Sequence, residues 1–197
     1  MTPQAESVLE LFRSRGAYLE GHFRLTSGLH SAQYLQSALV LQHPDAAERL
    51  GRMLAEQLRQ KADGEIQLVV SPALGGLIIG HEVARALHAR FLFTERDAAT
   101  KKMALRRGFQ VTSGETAVVV EDVITTGGST QDVIEILRAA GVRVLAAGSI
   151  IDRSGGQADV GVGRVALATL QVKSHTPEDC PLCAEGVPVA KPGSRPV

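Results

Sequence analysis

The segment 118–130, with the sequence VVVEDVITTGGST, constrains the fold of this chain more than any other stretch. Its β-branched residues predict a buried strand, and the turn rich in glycine and hydroxyl side chains opens a helix. The first turn of a helix leaves backbone N–H groups unpaired and carries the positive end of the helix dipole, so it favours an anion. Gly127 and Gly128 let backbone N–H groups approach an oxygen closely. The order predicts a strand, a phosphate-binding loop and a helix.

Four hydroxyl side chains in and just after this turn can donate further hydrogen bonds to an anion. They are Thr125, Thr126, Ser129 and Thr130. Ser129 is also predicted to cap the helix, since Asp132 stands three residues later in a capping-box position. The helix itself is predicted over residues 131–140.

Two adjacent carboxylates, Glu121 and Asp122, end the predicted strand. Carboxylates accept hydrogen bonds, and a sugar diol offers two adjacent donors, so a ligand with a phosphate and free ribose hydroxyls would satisfy the whole segment. The segment lacks the lysine of GxxxxGK(S/T) and is not GxGxxG, which disfavours nucleoside triphosphates and dinucleotides. The alternative is an ordinary strand, turn and helix with acidic residues at a hydrated strand end. We favour the ligand site.

The rest of the chain alternates short apolar strands with amphipathic helices. Helices are predicted over 4–15, 43–61, 77–89 and 131–140, and strands over 67–70, 90–94, 116–120, 142–151 and 165–172. Residues 18–41 are predicted to form short strands with turns, and the proline-rich tail after residue 176 a loop. This alternation implies an α/β fold with a parallel sheet covered on both faces and ligands at the carboxyl ends of the strands.

Composition sets the broad class of protein. The 197 residues fit one domain, and 21 basic residues balance 21 acidic ones, so nothing in the overall charge indicates nucleic-acid binding. No apolar run approaches the length of a membrane span, and the polar, acidic N-terminal segment does not resemble a secretory signal. We expect a cytoplasmic protein with neither nucleic-acid nor membrane partners.

The segment 118–130 resembles the phosphoribosyl pyrophosphate (PRPP) motif of the type I phosphoribosyltransferases, and residues 6–195 resemble orotate phosphoribosyltransferases. The resemblance implies a mainly parallel five-stranded sheet flanked by helices, with a small hood from residues 18–41 and 164–197 on a core of 44–163. It also implies a homodimer in which a lid loop completes the neighbouring site. Mg²⁺ is implied as the cofactor, held mainly by substrate and water and not by protein ligands.

The implied reaction joins orotate and PRPP to give orotidine 5′-monophosphate and pyrophosphate, a step of de novo pyrimidine (UMP) biosynthesis. Such a displacement at the anomeric carbon asks the protein for positioning and charge placement. Purine-specific relatives typically carry an aspartate at the position of Thr125, and a threonine cannot take a proton at neutral pH. The alternatives are a phosphoribosyltransferase for another nucleobase and a non-catalytic PRPP-sensing regulator.

The turn 71–76, SPALGG, is a second candidate anion loop, and its alternative is a tight connection from strand to helix. It resembles the family's pyrophosphate loop, although many relatives carry a lysine at the position of Gly75. Backbone N–H groups would therefore bind more of the pyrophosphate here. The resemblance assigns PRPP to Ala73, Leu74, Gly75, Gly76, Glu121, Asp122, Val123, Ile124, Thr125, Thr126, Gly127, Gly128 and Ser129.

The segment 100–109, TKKMALRRGF, carries four cationic side chains and no acid. A solvated loop is the alternative, but its position between a strand and a Ser-Gly turn favours a mobile lid that closes over pyrophosphate and excludes water. By resemblance, Arg96 replaces a lysine of the family's loop, which here lacks a histidine. Among the lid cations, Arg96, Lys101 and Lys102 are assigned to catalysis, together with Glu121 and Asp122. Arg96, Lys102 and Arg106 are assigned to substrate binding.

Recognition of orotate is assigned to two segments. Arg153 follows Asp152 at a predicted strand end and can pair with a carboxylate in a bidentate manner; the alternative is a surface arginine paired with a local acid. Residues 23–36 resemble the family's N-terminal substrate segment. There Ser27, Gly28 and Tyr34 take the positions that face the pyrimidine, although Tyr34 also fits a hood core.

The tail carries Cys180 and Cys183 in the motif CPLC, with His175 upstream. Such a pair offers two ligands, whereas a structural zinc site takes four. The cysteines could be a redox pair, a half-site shared across a dimer or two ordinary thiols, and we favour the last. The other histidines show no mutual spacing that indicates a metal site; they are His22, His30, His43, His81 and His88.

Overall fold

A computed structural model describes residues 2–25, 28–100 and 102–192. Its helices are α1 (Pro3–Ser14), α2 (Ser37–Leu41), α3 (Pro44–Lys61), α4 (Gly76–Leu87), α5 (Gly128–Ala139) and α6 (Pro181–Ala184). Its strands are β1 (Tyr18–Arg24), β2 (His30–Leu35), β3 (Leu68–Pro72), β4 (Arg90–Arg96), β5 (Met103–Leu105), β6 (Thr116–Ile124), β7 (Arg143–Asp152), β8 (Arg164–Thr169) and β9 (Ser174–His175). Within the described ranges, no helix combines the length and the apolar character needed to cross a membrane.

The larger sheet has the strand order β5-β4-β3-β6-β7-β8. Strands β4, β3, β6, β7 and β8 run parallel, and the short β5 pairs with β4 in the antiparallel sense. The predicted α/β class with a mainly parallel five-stranded sheet is confirmed, with β5 as an added edge strand.

Alternation along β6 divides the core between the two faces of this sheet. Val118 and Val120 pack in a cluster with residues of α1, α3 and α4, whereas Ala117 and Val119 pack in a second cluster with α5. Successive side chains of a strand point to opposite faces, so a run of small β-branched residues suits a strand covered on both sides. The central strand is thereby fixed between two apolar layers.

A smaller antiparallel sheet of the order β1-β2-β9 forms the hood. The C-terminal tail extends it, since the backbone N–H of Arg24 donates to the carbonyl of Ala190 and the N–H of Ala190 donates to the carbonyl of His22. The predicted hood boundary at residue 164 is too early, because β8 pairs with β7 in the larger sheet. Residues 37–41, predicted as strand or turn, form α2.

The junction of β6 and α5 differs in detail from the prediction. Strand β6 continues through both carboxylates to Ile124, and α5 begins at Gly128, so Ser129 lies inside the helix. The predicted Ser129 cap is wrong: Gly127 holds the N-cap position at φ 86° without any side-chain capping bond. A Cβ on Gly127 would lie 2.8 Å from Val160 Cγ1, so both the backbone conformation and the space require glycine.

Candidate active site

A cavity of 830 Å³ lies between the hood and the carboxyl ends of the parallel strands. This volume is in the range of small-molecule sites. Predicted site residues that line it are Tyr34, Leu74, Gly75, Asp122, Val123, Thr125, Thr126 and Arg153. The sheet therefore brings segments from four separate parts of the chain to one crevice.

The two predicted anion loops meet in this cavity. Strands β3 and β6 are parallel neighbours, so the turns that follow them emerge at the same edge of the sheet. A Cβ on Gly75 would lie 2.6 Å from Asp122 Oδ1, and one on Gly76 would lie 2.9 Å from the Cβ of Ser71. The backbone of the 73–76 loop is thus seated directly against a carboxylate of the other loop.

The two carboxylates point to opposite sides of β6. Asp122 faces the cavity, whereas Glu121 accepts a 2.5 Å hydrogen bond from the hydroxyl of Thr130 on α5. Burial raises the pKa of Glu121 to about 7, and the neighbouring Asp122 raises it further, although the bond from Thr130 acts in the opposite sense. Burial also raises the pKa of Asp122. Both groups are therefore desolvated acceptors at the end of the strand.

Asp152, at the end of β7, is anchored away from the cavity. It is 1% exposed and accepts hydrogen bonds from Arg164 Nη1 at 2.5 Å and from the Ser154 hydroxyl at 2.6 Å. Burial opposes its ionisation, but the bonds from Ser154 and Arg164 hold the pKa of Asp152 below its usual value. Its charge is consequently balanced by Arg164, and sequence reasoning missed this pair because the partners lie on different strands.

Arg153 lies in the cavity wall with a largely desolvated guanidinium. Its backbone N–H donates to the carbonyl of Ile124 at 2.8 Å, which fixes the end of β7 beside the end of β6. The Nε atom of Arg153 is buried and has no hydrogen-bond partner among the described residues. Burial lowers the pKa of Arg153, and the electrostatic interaction with Tyr34 acts in the opposite sense. A buried donor of this kind favours a hydrogen-bond acceptor, and an anion would balance the charge of the guanidinium as well.

The position of Tyr34 is compatible with both alternatives that the sequence left open. It lines the cavity, and its ring centroid lies 5.9 Å from that of Phe23 in the hood. Its hydroxyl donates to Gln36 Oε1 at 3.1 Å. The aromatic side chain is therefore fixed by the hood and exposed to a ligand.

The comparisons with known proteins agree with this geometry. The Phosphoribosyl transferase domain family model matches residues 38–178. Proteins named orotate phosphoribosyltransferase from Heliobacterium modesticaldum and Pelotomaculum thermopropionicum are 54% and 53% identical to the chain over 190 residues. The alignments cover 96% of this chain and 98% and 97% of the two relatives. The chain belongs to the orotate phosphoribosyltransferase family.

Solved structures of the family support the fold. The crystal structure of orotate phosphoribosyltransferase from Aeropyrum pernix matches with a TM-score of 0.67 at 28% identity, over 83% of this chain and 94% of that one. An adenine phosphoribosyltransferase from Thermoanaerobacter pseudethanolicus matches with a TM-score of 0.59 at 18% identity, over 70% and 88% of the two chains. The latter likeness concerns the fold alone.

Most other residues predicted to bind substrate are close in sequence to residues that line the cavity. Ala73 and Gly76 flank the lining residues of one loop, and the backbone N–H of Ala73 donates to Thr94. Glu121, Ile124, Gly127, Gly128 and Ser129 flank those of the other loop. Gly28 forms a turn at φ 87° next to Leu29, which does line the cavity. Ser27 and Lys101 lie outside the described residues.

The predicted lid segment is folded as a hairpin in the structure. Strand β5 pairs with β4, and the backbone N–H of Asp97 donates to the carbonyl of Lys102 at 2.8 Å. Arg107 donates to both oxygens of Glu95, at 2.7 and 2.8 Å, and Arg106 lies 3.7 Å from a carboxylate oxygen of Asp97. The acids that balance these arginines precede the segment, so its cationic composition overstates its local charge.

The side chains of Arg96 and Lys102 have different surroundings in this hairpin. Arg96 Nη2 lies 3.5 Å from Asp132 Oδ2 on α5, which places it close to the phosphate-binding loop. Lys102 is exposed beside Met103. Neither lines the cavity, so the structure does not bring the lid cations together with Asp122 and Arg153.

Sequence reasoning missed most of the apolar lining. The lining residues that the sequence did not single out come from the hood, α2, α4 and the segment after β8, although four of them lie in the predicted substrate segment 23–36. The apolar ones are Leu25, Leu29, Leu35, Ala38, Leu41, Ile78 and Val172, and the polar ones are Gln36, Ser37 and Ser174. A second missed group lies on the far side of the hood. There His22 and His30 meet Cys180 and Cys183.

Proposed function

We propose that the chain transfers the 5-phosphoribosyl group of PRPP to orotate, giving orotidine 5′-monophosphate and pyrophosphate for pyrimidine biosynthesis. One observation carries the substrate assignment: the unpartnered, buried Nε of Arg153 lies in the same cavity as Asp122 and Thr125. A carboxylate-bearing base would satisfy the guanidinium, while the β6–α5 loop binds the sugar phosphate.

Recognition of PRPP follows from the two loops. The turn 125–128 and the first turn of α5 present backbone N–H groups and threonine hydroxyls to the 5′-phosphate. The carboxylates of Asp122 and Glu121 accept hydrogen bonds from the ribose hydroxyls. The 73–76 loop, seated against Asp122, presents its backbone N–H groups to pyrophosphate.

The chemistry is a displacement at the anomeric carbon. A ring nitrogen of the orotate anion forms the new bond to that carbon, and the bond from the carbon to pyrophosphate breaks, with the electron pair leaving on pyrophosphate. Orotate reacts as an anion, so the protein needs no base at Thr125. The protein holds the two substrates in line and stabilises the charge that develops on the leaving group.

Mg²⁺ fits this set of donors. It prefers oxygen ligands, and it is usually held by substrate phosphates, water and one or two carboxylates. Asp122 supplies a carboxylate in the cavity wall, and the remaining ligands would be substrate and water oxygens. When bound, the ion would neutralise charge on pyrophosphate.

The lid and the subunit arrangement belong to the same proposal. The hairpin around residues 97–107 closes over pyrophosphate in the neighbouring subunit of a homodimer and brings Lys102 and Arg106 to the leaving group. Exposed ion pairs such as Arg106–Asp97 contribute little to stability, so this pair can separate at small cost when the hairpin rearranges. Leu74, 81% exposed although it lines the cavity, supports a cover from outside the subunit.

An assay with a panel of bases tests the proposal. Purified protein is incubated with PRPP, Mg²⁺ and orotate, uracil, adenine or hypoxanthine, while pyrophosphate release and orotate absorbance are followed. Of the four bases, we expect only orotate to be converted. Turnover of another base without orotate would indicate a different phosphoribosyltransferase, and PRPP binding without any turnover would indicate a regulator.

A further inference from the structure

Four metal-binding side chains meet between the hood and the C-terminal tail. His22 lies on β1, His30 on β2, and Cys180 and Cys183 at the start of α6. Their ligand atoms all lie within 4.8 Å of one another. The sequence analysis treated the cysteines as ordinary thiols unrelated to the histidines, and the fold brings all four together.

Three sulfur–nitrogen distances in the cluster are close to those of a tetrahedral site. Zn–S bonds of about 2.3 Å and Zn–N bonds of about 2.0–2.1 Å would place sulfur and nitrogen ligands about 3.5 Å apart. The Nε2 atom of His22 lies 3.5 Å from Cys180 Sγ and 3.6 Å from Cys183 Sγ, and Nδ1 of His30 lies 3.3 Å from Cys183 Sγ. The two nitrogens are 2.8 Å apart, slightly closer than about 3.3 Å in such a tetrahedron.

The orientation of His22 is that of a metal ligand. Its Nδ1 lies 2.7 Å from the carbonyl oxygen of Val187, and a carbonyl can only accept, so Nδ1 carries the proton. The other ring nitrogen, Nε2, points into the cluster, where it can bind a metal ion. A histidine ligand typically donates its second N–H to a carbonyl or carboxylate in this way.

More polar atoms surround Nε2 of His22 than one imidazole lone pair can bind. The single lone pair on Nε2 of His22 faces three polar atoms within 3.6 Å, namely Nδ1 of His30 and both sulfurs. It can accept from one of them, although His22, His30 and Cys180 are all buried. One cation at the centre would bind all four groups at once.

We propose that His22, His30, Cys180 and Cys183 bind one zinc ion, which fastens the tail to the hood. Two sulfurs and two imidazole nitrogens in a tetrahedron favour zinc. Both thiols would lose their protons to solvent, and two thiolates with one divalent cation form a neutral site, which suits the burial of His22, His30 and Cys180. One chain supplies all four ligands, so no half-site from a second subunit is needed.

The site has a structural consequence for the cavity. His22 and His30 lie on either side of the turn between β1 and β2, and the neighbouring Leu25 and Leu29 line the cavity. Zinc would hold this turn and residues 187–190 of the tail in place. The proposal is independent of the reaction assigned above, because its test measures metal and not turnover.

Metal analysis tests the site directly. Protein is purified without a polyhistidine tag and without chelators, and its metal is measured by mass spectrometry. We expect about one zinc per chain. The variants Cys180→Ser and Cys183→Ser should each lose it, whereas His175→Ala should retain it, since His175 pairs with His30 in the sheet and is outside the cluster.

Two measurements on the unaltered protein test the site even if the cysteine variants fail to fold. Titration with a mercurial reagent should release zinc in step with modification of the two thiols, and replacement by cobalt(II) should give the visible absorption of tetrahedral thiolate coordination. The proposal is overturned if the reduced protein neither contains nor takes up stoichiometric zinc. It is equally overturned if iron occupies the site or if mass analysis shows a Cys180–Cys183 disulfide in the freshly isolated protein.

Discussion

The carboxylate of Asp122 lies directly against the backbone of Gly75, where a Cβ would come within 2.6 Å of Oδ1. The backbone of Gly75 is ordinary at φ −57°, so this glycine is required by space and not by conformation. We expect Gly75→Ala to displace either the 73–76 loop or the carboxylate. Its kcat/KM for PRPP should fall by about tenfold or more, equivalent to ~1.4 kcal/mol.

Gly64→Ala is the matched control for this substitution. The nearest atom to its Cβ would be Arg143 Nη2 at 3.0 Å, the end of a flexible side chain remote from the cavity. Steady-state kinetics with PRPP as the varied substrate should therefore show no change. If the kcat/KM of Gly75→Ala also equalled that of the unaltered protein, the contact between Gly75 and Asp122 would not matter for PRPP use.

Arg153 should govern the affinity for orotate. Loss of hydrogen bonds to a charged group costs about 1.5–3 kcal/mol, so Arg153→Ala should raise the KM for orotate roughly tenfold to a hundredfold and that for PRPP far less. Arg153→Lys should recover only part of the loss, since an ammonium cannot reproduce a bidentate fork. Arg52→Ala, on the exposed face of α3, is the control. Equal effects on both substrates would remove Arg153 from its assigned role.

The raised pKa of Glu121 makes the free energy of unfolding depend on pH. Burial raises this pKa from 4.5 to about 7, so between these values the folded protein holds a proton that the unfolded chain has lost. The contribution is therefore favourable below pH 4.5 and is lost as the pH rises through 7. Glu121→Gln should remove this fall, and Asp122, whose pKa is also raised, should leave a residual slope.

Chemical denaturation between pH 5 and pH 8 measures this effect. The free energy of unfolding of Glu121→Gln relative to the unaltered protein should increase with pH, on the order of 1–3 kcal/mol across the range. Glu10→Gln, an exposed position on α1, should show no such trend. A constant difference between Glu121→Gln and the unaltered protein would show that Glu121 titrates alike in both states.

The sequence predicted the part of the site whose structure depends on residues close together in the chain. Residues 118–130 set a strand, a turn and a helix by local rules, and parallel pairing of β3 with β6 brings the 73–76 loop to the same edge. The Ser129 cap was wrong because the N-cap is Gly127, two residues earlier, where Val160, distant in sequence, leaves no room for a Cβ. Local patterns carry no information about such a neighbour.

The histidine–cysteine cluster shows the same limit more clearly. His22 and Cys180 are 158 residues apart, so the C-x2-C spacing of Cys180 and Cys183 gives no indication of the histidines that join them. They meet because the tail pairs with β1 through Ala190, and this pairing follows from the whole hood. Likewise, the acids that balance Arg106 and Arg107 are Asp97, just after β4, and Glu95, on β4. Both lie outside the cationic run, so its composition does not predict the hairpin.

The proposed exchange of lids between subunits can be tested by complementation. Lys102→Ala should lower kcat about tenfold or more while changing stability by no more than ~0.5 kcal/mol, because the side chain is exposed. Subunits carrying Lys102→Ala are then denatured, mixed with subunits carrying Arg153→Ala and refolded together. If each site combines Arg153 of one subunit with Lys102 of the other, one mixed dimer has one intact site and one doubly defective site. Roughly a quarter of the full activity should then return.

The same mixture separates the competing arrangements. If the lid served its own subunit, every site would carry one defect and refolding together would restore nothing beyond the mean of the two variants. Each variant refolded alone provides the baseline, and the unaltered protein refolded alone corrects for recovery. Analytical ultracentrifugation of all samples establishes whether dimers form, since a monomeric but fully active protein would contradict the shared site directly.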